Sequence, residues 1–90
     1  MKLNKKKPNP KKISKESIDQ LIAAINTEIK GEFIPRSKIN QQSPSFPYNH
    51  RTLANRDSLH TGVKGAFMVG KHIIYPKIAL IEMLREDLSK

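Results

Sequence analysis

The stretch GAFMVGKHIIYP, residues 65–76, constrains the fold of this chain more than any other. Two short apolar runs flank Gly70-Lys71. A two-residue Gly-X link between such runs predicts a β-hairpin with a type II′ turn, because glycine accepts the positive φ of the first turn position. The expected strands are Ala66–Val69 and His72–Tyr75, with Pro76 ending the second. The same stretch sets Gly65, Gly70 and Lys71 at the spacing of a phosphate-binding G-x-x-x-x-G-K loop. That loop needs Ser or Thr after its lysine to hold magnesium, and it opens a helix. Here the next residue is His72, and Ile73, Ile74 and Tyr75 read as strand. The hairpin is the better reading.

Helical patterns lie on both sides. Ile18, Leu21, Ile22, Ile25 and Ile29 form one apolar stripe, predicting a helix from about residue 15 to 30. Ser17 with Gln20 forms a potential capping box, Ser14 is an alternative earlier cap, and Gly31 suits the position after the helix. The stripe fits either a core or a docking surface for a protein partner. Phe33 and Ile34 are expected to be buried, with a short helix over Ser37–Gln42. Pro44 and Pro47 then enforce a turn. Asn49 is the expected cap of a third helix, with Tyr48, Thr52 and Leu53 inward and Gly62 at its end. Pro76 suits the first position of a last helix, whose apolar face is Ile78, Leu80, Ile81, Leu84 and Leu88. Glu82, Arg85, Glu86 and Asp87 are expected in water.

Charge narrows the partners. The chain of 90 residues carries a net +9, unevenly spread. Residues 1–12 hold six lysines, two prolines and no acid, and are expected to be a disordered basic tail. Residues 34–77 hold seven cations against Asp57 alone, a net +6. Residues 13–33 and 78–90 are slightly acidic, at −2 and −1. A basic tail and middle favour a polyanion, nucleic acid first, over a merely soluble basic surface. The chain has no cysteine, no signal-peptide h-region and no apolar run long enough to span a membrane. A cytoplasmic protein with no membrane role is the expectation.

Helix, turn, helix, two-stranded hairpin, helix is a winged helix-turn-helix order. The run HRTLANRDSLHTGVKGAFMVGKHIIYPKIALIEML also resembles the small excisionase and AlpA-type regulators of phages and mobile islands, whose fold is related to the MerR DNA-binding domain. The matching elements are Arg51-Thr52-Leu53, Gly62–Gly65, Phe67–Val69, Gly70-Lys71, Ile73–Tyr75 and Ile78–Leu84. The resemblance covers about residues 36–86 and implies a winged helix-turn-helix with a two-stranded wing; with the N-terminal helix added outside that core, the expectation for residues 13–90 is an α+β, mainly helical domain. More loosely, the chain looks like the small accessory proteins encoded beside polymerase and helicase genes in staphylococcal cassette chromosomes. It departs from the excisionase pattern twice. Asn55-Arg56 stands where the family often has Trp, and the turn Ser43–Tyr48 is longer and holds two prolines. The turn sets the docking angle of the second helix, so DNA binding of limited sequence specificity is expected.

The base-contact candidates are Arg51, Asn55 and Arg56, since Arg pairs bidentately with guanine and Asn with adenine. Lys64 and Lys71 flank the wing and are candidates for phosphate or minor-groove contact, His50 is a phosphate candidate, and Arg36 and Lys38 are further DNA-binding candidates. Each also fits an ordinary solvated surface. The three histidines lack metal-site spacing, and no cofactor, metal or small-molecule substrate is expected. Glu82, Glu86 and Asp87 lie on a helix face, and Ser58 and His60 lack an orienting third group, so no enzyme is expected. Three functions compete. One is a DNA-binding regulator, excisionase or replication factor of a bacterial mobile element. Another is an accessory subunit docking on a larger replication or recombination enzyme and holding double- or single-stranded DNA. The third is a basic ribosome-associated protein.

Overall fold

The computed structural model describes residues 13–90. The expected basic tail, residues 1–12, lies outside them. The described chain is α+β, with four α-helices and a three-stranded antiparallel sheet. Helix α1 spans Lys15–Glu28 and is capped by Ser14, the earlier of the two predicted caps, whose side chain accepts from the Ser17 amide. It ends differently from expectation. Ile29 turns extended, at φ −89 and ψ 109, and Gly31 does not take a positive φ. The carbonyl of Ile29, just past the last helical residue, accepts from the Lys77 ammonium at 2.6 Å, which sets a cation at the negative end of the helix dipole.

Strand β1, Phe33–Pro35, is the element the sequence hid. It pairs antiparallel with the second hairpin strand, so the expected two-stranded wing is part of a sheet ordered β1-β3-β2. A three-residue strand is too short to show alternation, and its proline is tolerated because β1 is an edge. A 3-10 turn, Arg36–Lys38, runs into the short helix α2, Ile39–Gln42. Helix α3 spans His50–Ser58, and Asn49 caps it by accepting from the Thr52 amide at 2.8 Å. The hairpin is β2, Phe67–Val69, and β3, His72–Pro76. Val69 pairs with His72, which leaves Gly70-Lys71 as the turn. Gly70 has φ +62 and Lys71 a negative φ, the signature of type II′. Helix α4 spans Lys77–Leu88, with Pro76 as its cap rather than its first residue. No helix among the described residues is long and apolar enough to cross a membrane.

The core settles the fate of the α1 stripe. Ile18, Ile22, Ile25 and Ile29 are buried, and Leu21 packs against them in part. They belong to one cluster with Ile34, Ile39, Phe46, Leu53, Val63, Tyr75, Leu80, Met83 and Leu84. The stripe is therefore core in this chain. Three inward assignments are corrected. Phe33, Thr52 and Ile78 are exposed, and Met83 takes the place on α4 that Ile78 was given. The neighbours Leu80, Met83 and Leu84 sit three and four residues apart, whereas Ile78 falls on the opposite side of α4.

Helix α3 stops before Gly62. The Thr61 amide donates to the Arg56 carbonyl and the His60 amide to that of Asp57, the paired bonds of a Schellman motif. His60 occupies its left-handed position, at φ 59. Gly62 is needed for a different reason. A Cβ there would lie 2.1 Å from the Asp57 Oδ1 and 3.3 Å from its Cα. Gly62→Ala should therefore displace Asp57 and destabilise the fold by about 1–3 kcal/mol, measured as a fall in thermal midpoint with unchanged helical content below it.

Candidate nucleic-acid interface

Two side chains at the end of α3 fix its position. The Asp57 carboxylate accepts from the Arg36 guanidinium at 2.7 Å and from the Tyr75 hydroxyl at 2.5 Å. This joins α3 to the 3-10 turn and to β3. Burial, then the bond to Asp57, push the Tyr75 hydroxyl well above its ordinary range, so it stays a donor. Arg56 reaches the other way. Its guanidinium pairs with Asp87 on α4 and donates to the Thr61 carbonyl at 2.8 Å. The Tyr48 hydroxyl completes this second group, donating to Asp87 at 2.9 Å. Asp87 was expected in water, yet its side chain is only 13% exposed because it receives both donors.

The proline-bearing turn between α2 and α3 is held by two side chains that the sequence reading did not single out. Glu28, at the end of α1, accepts from the Ser43 hydroxyl at 2.7 Å, the Ser45 hydroxyl at 2.7 Å and the Ser45 amide at 3.1 Å. Asn40 donates to the Tyr48 carbonyl at 2.7 Å and accepts from the His50 amide at 3.0 Å. Phe46 inserts between these anchors into the core. A Glu at the end of one helix and two serines in a later turn carry no local sequence signal. Only the tertiary fold brings them together.

The predicted residues divide accordingly. Arg51 and Asn55 are exposed on α3, one helical turn apart, and His50 is exposed at the helix start. Arg56 sits beside them in sequence but is spent on Asp87 and Thr61. Arg36 is likewise paired, with Asp57, while Lys38 is exposed. Lys64 precedes β2 and Lys71 forms the hairpin tip, both exposed. So two of the three base-contact candidates are exposed, as are Lys64 and Lys71, and two of the arginines are held in ion pairs within the fold. Among the described residues no group of three or more His, Asp or Glu side chains is placed to hold a metal ion.

No protein-family model matches this chain, and no curated protein or solved structure shows significant similarity to it.

The carboxylates that secure α3 give stability a pH dependence. Hydrogen bonds from the Ser45 hydroxyl, then the Ser43 hydroxyl and the Ser45 amide, hold Glu28 below its ordinary value of 4.5. Burial raises Asp87, but the bonds from Arg56 and Tyr48 outweigh it and hold the group below its ordinary 3.8. Both folded values lie below the unfolded ones. The stabilisation is thus complete above about pH 4.5 and is lost as pH falls through the folded values. Thermal melts should show a declining midpoint below that pH, and Ser45→Ala should flatten the decline.

Proposed function

We propose that the chain is a DNA-binding module of winged helix-turn-helix type, with α3 as the helix that enters the major groove and the β2–β3 hairpin as the wing. The observation that carries this reading is the treatment of α3. Its inner side is pinned by Leu53 in the core and its end by Asp57 and Arg56, while Arg51 and Asn55 stand free one turn apart. A helix held rigidly on one side with a guanidinium and an amide on the other matches direct base readout. The surrounding segment, residues 34–77, supplies the positive field at +6. The element order and the resemblance to excisionase-type regulators of mobile elements support the same reading, and imply a regulator, excisionase or replication factor rather than an enzyme.

Binding should be strongly salt-dependent. With about six phosphate contacts, affinity should fall roughly 10³-fold between about 50 and 200 mM salt. Absent binding at low salt, or a salt-independent affinity, refutes the proposal. On a duplex selected from a random pool, Arg51→Ala and Asn55→Ala should each cost about 1–3 kcal/mol and less on random DNA. Lys71→Ala should weaken all sequences alike, because phosphate contacts carry little sequence information. Arg56→Ala should instead lower the thermal midpoint, since its guanidinium is committed to Asp87. Gel shifts and melting curves on the same four variants separate these outcomes.

A further inference from the structure

The sheet has a second apolar face that the proposed α3 interface does not use. The pleat sends Ile34, Ile73 and Tyr75 inward. The opposite side carries Phe33 and Pro35 from β1, Phe67 and Val69 from β2, and Ile74 from β3. Phe33, Phe67 and Val69 are 55%, 42% and 57% exposed. The two phenyl rings meet edge to face, with centroids 5.8 Å apart. Exposed aromatics brought together from two strands are costly to leave in water, and they are not needed by the core on the other side of the sheet. From residue 58 to 81 the chain carries Lys64, Lys71 and Lys77 and no acid, and the Lys77 ammonium is bound to the Ile29 carbonyl. Lys71, exposed at the hairpin tip, adjoins the Val69–His72 pair of this face, whereas Lys64 lines grooves with Asp57 and with Glu82 and Glu86. Glu32, exposed just before Phe33, is the acid nearest in sequence.

Aromatic rings on a sheet with a lysine at its hairpin tip match a polymer that is apolar on its bases and anionic on its backbone. We infer that the outer face of the β1-β3-β2 sheet binds single-stranded nucleic acid, with bases stacked on Phe33 and Phe67 and phosphates near Lys71. A duplex hides its base faces and cannot use this surface, so the face works independently of α3.

The test uses oligothymidine and oligouridine of about ten nucleotides at low salt. Phe33→Ala and Phe67→Ala should each weaken binding by about tenfold, while Phe67→Tyr, which keeps a ring, should bind as the parent does. Duplex binding should be unaffected by the three changes, and Arg51→Ala should show the converse, so failure here is distinct from failure of the α3 reading. The chain has no tryptophan, so Phe33→Trp adds a single fluorophore whose emission a stacked base quenches. Quenching by either oligomer supports the inference, and the tighter one identifies the strand. Unquenched emission with unchanged affinity in the alanine variants overturns it. So does a dimer in sedimentation that Phe33→Ala converts to monomer, which would assign the face to a second copy of the chain.

Discussion

The carboxylate of Asp57 ties three parts of the molecule together. It is the only acid between residues 34 and 77, and it lies where α3 ends, where Arg36 leaves β1 and where the Tyr75 ring rises from β3. A carboxylate of this kind, with its side chain 21% exposed, is tolerated because it receives a charge-assisted bond and a hydroxyl donor together. Gly62 leaves the space it needs. Directly before it, Arg56 points to the other side and repeats the scheme with Asp87 and Tyr48. Two adjacent residues thus lock one helix end to the sheet and to α4, and each lock is an Arg–Asp–Tyr group.

This arrangement changes how the charge should be read. The middle segment is basic, but two of its seven cations, Arg36 and Arg56, are paired with acids inside the fold. Arg85 with Asp19 is a further pair, about half exposed on both sides and worth little in water. Arg51, Lys38, Lys64 and Lys71 remain exposed, and these define the outward field. The formal charge of the segment is unchanged by internal pairing, yet the cations able to approach a phosphate are fewer than composition alone suggests.

The elements with strong local signals were legible. The α1 stripe, the Asn49 cap and the Gly70-Lys71 turn each follow from periodicity or backbone geometry within a few residues. What stayed hidden was tertiary. β1 is three residues ending in proline, so no alternation marks it, and its partner lies some forty residues away in the sequence. Arg56 looked like Arg51 because nothing local says that Asp87 will face it. Ile78 looked inward because its hydropathy is that of a core residue, whereas the helix phase gives that role to Met83. Phe33 was read as buried for the same reason. Its exposure is visible only once β3 separates the two faces of the sheet.

The long turn before α3 bears on specificity in a way its length alone does not convey. A turn of six residues with two prolines resembles a loose connection that lets the second helix wander. Instead Glu28 fastens its first half, Asn40 its second half, and Phe46 anchors the middle in the core. The orientation of α3 is therefore set within the chain itself. Under the proposed function, limited specificity then has a different origin from flexibility. A helix in the major groove commonly reads its site with three or four side chains. Locking Arg56 onto Asp87 leaves Arg51 and Asn55 as the two long polar groups on the free side. On that proposal, a rigid helix with two readers would distinguish a short sequence weakly while the surrounding lysines held any DNA, with phosphate contacts the main source of affinity and base contacts a modest correction to it.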